Sequence, residues 1–119
     1  MTEEREYLDY LEDIRDNLAA AQHFVEGMTF ESFLSDDRTR YATVRALEIV
    51  GEAAKHVPAK VRGRYPSVPW KEMAGMRDRL IHAYRGTSWK AVWEAATVRA
   101  REVMPLIEAV LRQEEARQG

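Results

Sequence analysis

Six side chains able to act on a phosphate fall within nine positions: Arg77, Asp78, Arg79, His82, Tyr84 and Arg85 in the stretch RDRLIHAYRG. A histidine takes or gives a proton near neutral pH. An arginine stays charged and offers a planar fork to two phosphate oxygens. Asp78 stands four residues before His82, the spacing at which one helical side chain orients another. The set could bind and cut a phosphodiester, with Tyr84 as a further hydroxyl. The plainer reading is structural. Asp78 and His82 can be a surface pair, and Arg77 and Arg79 can neutralise an acidic helix elsewhere in the chain.

These residues need a helix to present them. At about 100° per residue, and with Arg77 as origin, Met73, Met76, Leu80 and Ala83 fall at about 240–320° and make a core stripe. Asp78, His82 and Arg85 fall opposite, at about 80–140°. Arg77 and Tyr84 lie together near about 0° and 340°, and Ile81 sits between the two polar sets at about 40°. An apolar residue on that face suggests a cover, most simply a symmetric partner subunit.

Pro69 suits the first turn of this helix and Gly86 its exit, which predicts one helix from about Pro69 to Arg85. Upstream, Tyr7, Leu8, Leu11, Ile14, Leu18, Ala21 and Val25 recur at helical spacing from Glu3 to about Gly27. A turn of helix is expected after Thr29. A second long helix should run from about Asp37 to Val57, with Tyr41, Val44, Leu47, Val50 and Ala54 inward. Gly51 lies in its middle, where glycine costs roughly 1 kcal/mol relative to alanine; close approach of another helix would justify it. PAKVRGRYPSVPW is a connector with at most a short helix. Thr87 or Ser88 can cap a last helix carrying Trp89, Val92, Trp93, Ala96, Val103, Ile107 and Val110, with Pro105 as a kink or break. No segment alternates like a strand. The pattern predicts one all-α domain over residues 1–119, an antiparallel four-helix bundle with a short extra helix.

Composition narrows the chemistry. The 119 residues are 45% apolar and 32% charged, ordinary globular usage, and contain no cysteine. That removes disulfides and thiolate chemistry and fits a reducing cytoplasm. No apolar run reaches the roughly 18 residues of a membrane helix, and the N-terminus does not read as a signal peptide. None of His23, His56 and His82 completes the Glu-x-x-His pair of a bundle metal site, so no metal is expected. The net charge of −2 conceals an asymmetry. Residues 1–37 hold eleven acids against two bases, whereas residues 55–85 hold eight bases against Glu72 and Asp78. A basic segment on an acidic body suits a phosphate-bearing ligand, although the two regions could also neutralise one another.

GMRDRLIHAY resembles the R-x-x-x-x-H-x-Y signature of the HepT-like ribonuclease toxins of the HEPN superfamily, with Arg77, His82 and Tyr84 in the motif and Asp78 in its polar slot. YLEDI, FESF, EIVGEAAK, YPSVPW and VW follow the family's order along nearly the whole chain. Members often carry asparagine where Asp78 stands and an aromatic residue where Arg85 stands. The resemblance implies an HEPN-like dimerising bundle and a metal-independent RNA endonuclease that needs no cofactor. Arg77 and His82 would be catalytic, with Asp78, Arg79 and Arg85 supporting or binding substrate. It also implies a homodimer with the active cleft at its interface. A nucleotidyltransferase antitoxin would inhibit by attaching adenylate to Tyr84 or by binding alone. The alternative is a non-enzymatic HEPN-like module that holds a nucleotide or a partner protein in the same cleft.

Overall fold

The computed structural model describes the backbone of residues 3–84 and 88–118 and the side chains of residues 6–80 and 88–118. The chain is all-α, and no strand occurs among the described residues. Helix α1 (Glu3–Phe24) buries Tyr7, Leu11, Ile14, Leu18 and Ala21 along one stripe. It ends three residues before Gly27, which takes a positive φ of 76° in the turn that follows. Helix α2 (Phe30–Leu34) is the expected turn after Thr29. The Thr29 hydroxyl accepts from the Ser32 N–H while the Ser32 hydroxyl accepts from the Thr29 N–H, a reciprocal cap.

Helix α3 (Asp37–His56) starts from Asp36, whose carboxylate accepts from the Thr39 backbone. The ring of Tyr10, near the start of α1, stacks on His56 at the end of α3, so the two helices run antiparallel. Val44, Leu47, Val50 and Ala54 are buried as expected, but Tyr41 is 54% exposed. Each three-residue step falls about 60° short of a full turn. Three such steps therefore carry Tyr41 to the side opposite Val50, and its ring rests edge-on against Trp89 instead.

A short helix, α4 (Ala59–Arg64), lies in the connector. The helix expected over 69–85 is two helices, α5 (Trp70–Ala74) and α6 (Met76–Tyr84). Gly75 ends the first, its N–H donating back to the Lys71 and Met73 carbonyls. The last arm is α7 (Trp89–Glu94), a wide π-helical turn (Ala95–Arg99) and α8 (Ala100–Gln118). Within that turn the Thr97 hydroxyl donates to the Trp93 carbonyl, the acceptor that the Thr97 backbone N–H takes in a regular α-helix. The irregularity expected at Pro105 is therefore here, and α8 continues through Pro105. Pro105 and Arg101 are exposed, so the carbonyl that loses its partner faces water.

The core comprises two apolar clusters. One joins α1, α3 and α8 around Leu11, Ile14, Val50 and Ile107. The other joins Ala21, Phe33, Val44 and Leu47 to Met76 and Leu80 of α6 and to Val92 and Ala96. A buried side chain of this size contributes about 1.5–3 kcal/mol. Apolar burial of Met76 and Leu80 is therefore the main force docking α6.

Candidate active site

Helix α6 presents the motif, and Gly51 of α3 sets how closely it lies. A Cβ on Gly51 would stand 3.0 Å from the Met73 carbonyl oxygen and 3.4 Å from the Arg77 backbone nitrogen. The glycine is thus the close approach its position implied, and it places the start of α6 directly on α3. Met76 and Leu80 face the core, while Arg77, Asp78 and Arg79 are exposed, as the wheel requires.

The Arg77 guanidinium donates to the Glu52 carboxylate at 3.3 Å, with about half of each side chain open to solvent. The other Glu52 oxygen lies 3.5 Å from His56 Nε2, and the Tyr10 ring stacks on the imidazole with centroids 4.9 Å apart. Arg45, Glu48, Glu52 and Arg77 line a hollow along this face of α3. Arg77 therefore does not neutralise the acidic first helix. Glu52 and His56 went unassigned in the sequence, although EIVGEAAK contains the first of them; their approach to the motif depends on packing across 25 residues.

Arg79 points elsewhere. Its guanidinium donates to the Glu72 backbone carbonyl at 2.9 Å, beside the pair that Glu72 makes with Arg99. Arg99, at the end of the π turn, meets both Glu72 oxygens, at 2.8 and 2.5 Å, and also Glu102 at 2.6 Å. Hydrogen bonds from Arg99 hold the Glu72 carboxyl below its ordinary range. Met76, Arg79, Leu80, Ala95 and Arg99 border a small cavity there.

His82 and Tyr84 lie on α6, but their side chains, with those of Ile81 and Ala83, are outside the described residues, as are Arg85, Gly86 and Thr87 altogether. No group of three or more His, Asp or Glu able to hold a metal ion occurs among the described residues. No described helix is long and apolar enough to cross a membrane.

The basic segment is not one patch. Arg64 turns inward to Glu114, which is wholly buried: Arg64 donates to its two oxygens at 3.1 and 2.6 Å, Tyr7 at 2.7 Å and Tyr65 at 2.5 Å. Burial pushes the Glu114 carboxyl up, but the hydrogen bonds from Arg64, Tyr65 and Tyr7 outweigh it and hold it down at about 2.

The fold is an all-α bundle with Arg77 exposed on one docked helix, whose backbone continues through His82. The family profile described as "Ribonuclease HepT-like" matches residues 9–110, and the chain belongs to that family. It is 46% identical over 90 residues to a probable ribonuclease HepT of Thermococcus cleftensis, covering 76% of this chain and 82% of that one. It is 38% identical over 108 residues to "Putative RNase MJ1216" of Methanocaldococcus jannaschii, covering 91% and 89%. A third relative, "Putative RNase TTE0752" of Caldanaerobacter subterraneus subsp. tengcongensis, is 40% identical over 105 residues, covering 88% and 94%. No solved structure matches the chain.

Proposed function

We propose that this chain is the toxin of a toxin–antitoxin pair and acts as a metal-independent RNA endonuclease. The observation that carries this reading is Arg77 in a family of ribonucleases: a half-exposed guanidinium fixed at its backbone by Gly51 but held at its tip by one solvent-open carboxylate. In this reading Arg77 grips the phosphodiester and stabilises charge that develops on its oxygens in the transition state. A histidine base takes the proton of the ribose 2′-hydroxyl, whose oxygen attacks the adjacent phosphorus. The bond to the 5′-oxygen breaks and that oxygen receives a proton, leaving a 2′,3′-cyclic phosphate and a 5′-hydroxyl. DNA lacks the attacking hydroxyl.

His82 serves as acid or base. One motif histidine per protomer suits a homodimer in which the two copies of His82 divide these roles across one cleft. Asp78, exposed and four residues before His82, orients the imidazole; Arg85 holds a neighbouring phosphate. Arg79 is the weaker candidate for phosphate binding, because it already donates to the Glu72 carbonyl. Adenylate attached to Tyr84 by a nucleotidyltransferase antitoxin would set phosphates against the charges that bind substrate.

Induced expression of the wild type and of His82→Ala, with growth and RNA integrity followed together, tests the reading. Arrest with RNA fragmentation by the wild type alone is expected. Equal behaviour of two soluble, dimeric proteins would favour the non-enzymatic binding module. Co-expression with the cognate antitoxin should add adenylate mass to the Tyr84 peptide; an unchanged mass would leave inhibition by binding alone.

A further inference from the structure

We infer that Glu52 is a positioning residue for Arg77: it aims the guanidinium at the hollow beside α3 while no substrate is bound, and yields it to a phosphate. The inference rests on the nuclease reading above and adds a residue to it. Arginine has many rotamers, and an unheld Arg77 on an exposed helix face would lose conformational freedom when substrate arrived. Glu52 removes part of that freedom beforehand. Its reach is set by the backbone, because Gly51, the preceding residue, approaches so closely that a Cβ on it would stand 3.4 Å from the Arg77 nitrogen.

The strength of the pair suits a hold that can be released. With each partner about half exposed, the pair is worth at most about fivefold in an equilibrium constant. A phosphate offers two charge-assisted hydrogen bonds to the same fork. Exchange of partners is therefore favourable. Nor is Glu52 stranded afterwards, since it stays hydrated and keeps His56 beside its other oxygen. Arg99 is a contrast in the same protein: Glu72 grips it by two oxygens and Glu102 by a third, so it has no fork to offer.

Steady-state RNA cleavage by the wild type, Glu52→Gln, Glu52→Asp and Asp13→Asn tests this role, with melting temperatures measured beside it. Asp13 lines the neighbouring hollow with Arg45 and Glu52, so its variant removes one negative charge nearby without touching the pair. Glu52→Gln is expected to lower KM up to about fivefold, because the competing charge is gone, and to lower kcat about tenfold, because Arg77 is no longer aimed. Glu52→Asp keeps the charge but shortens the reach; it should lower kcat without lowering KM. Asp13→Asn should move KM alone. A kcat unchanged in both Glu52 variants, or lowered equally in Asp13→Asn, would overturn the role while leaving the nuclease in place. A wild type that cuts no RNA would remove the nuclease and this role together.

Discussion

Glu114 takes hydrogen bonds from Arg64 and two tyrosines with none of its surface open to water, whereas Glu52 meets Arg77 with half of each side chain exposed. The chemistry of the two pairs is the same and their settings are opposite. A buried carboxylate must be matched on nearly every lone pair, and each match ties another element to it. Glu114 accordingly joins α8 to α1 through Tyr7, to α4 through Arg64 and to the following connector through Tyr65. Glu52 joins α3 to α6 through one contact, which water and salt weaken. The first arginine is fixed in the fold, and the second remains free to change partner. Formal charge in the sequence does not separate the two; burial does.

The comparison breaks most readily at Glu114. Glu114→Ala leaves Arg64 and the tyrosine hydroxyls without their acceptor, and we expect about 3–5 kcal/mol of destabilisation by denaturant unfolding. Cleavage per folded molecule should hold. A smaller loss, or a loss confined to activity, would mean that the cluster is not the fold's anchor. The same group predicts acid sensitivity. Its folded carboxyl titrates at about 2, below its ordinary value of 4.5. The stabilisation is therefore complete above about pH 4.5 and is lost as the pH falls from there through 2. Unfolding at a series of pH values should show that loss, and Glu114→Gln should flatten it.

Arg77→Ala gives the reverse pattern: a fall of about 10²–10³ in kcat/KM, with stability changed by no more than about 1 kcal/mol. Unfolding of this variant would make Arg77 structural and erase the contrast. Gly51→Ala is next in size. The new methyl would stand 3.0 Å from the Met73 carbonyl at the end of α5 and 3.4 Å from the Arg77 nitrogen, so the α5–α6 junction must shift by a few tenths of an ångström. The strain is partly offset by the roughly 1 kcal/mol that alanine adds to a helix interior. Activity should fall about tenfold with little change in melting temperature. Arg99→Ala should have the smallest effect on cleavage, within about twofold, and should cost roughly 1 kcal/mol in stability from its partly exposed pair with Glu72.

Much of this was legible in the chain. Apolar periodicity located the long helices, Thr29 announced its cap, and Gly51 signalled a close approach before its neighbour was known. The exceptions have separate physical causes. Successive three-residue steps placed Tyr41 on the core stripe although the accumulated rotation carries it to the far side. The break at Gly75 is invisible in sequence because an αR glycine that ends α5 looks the same there as one inside a helix. The π turn left no proline or glycine to mark it. Glu114 carried a local sign that went unread, since it stands on the stripe of Val103, Ile107, Val110 and Leu111. Its hydrogen-bond donors Tyr65, Arg64 and Tyr7 are 49, 50 and 107 residues away, and no spacing rule reaches them. For the same reason the motif could be read on α6 while Glu52 and His56 could not be attached to it.

If the proposed reading holds, the helix carrying Arg77 and His82 cuts RNA by its own side chains. The direct measurement is incubation of purified wild type and His82→Ala with a defined RNA in excess chelator, with analysis of the product ends. Fragments with 2′,3′-cyclic phosphate and 5′-hydroxyl ends are expected from the wild type, and none from the variant. Equal cleavage by both proteins, or cleavage abolished by the chelator, would contradict that reading.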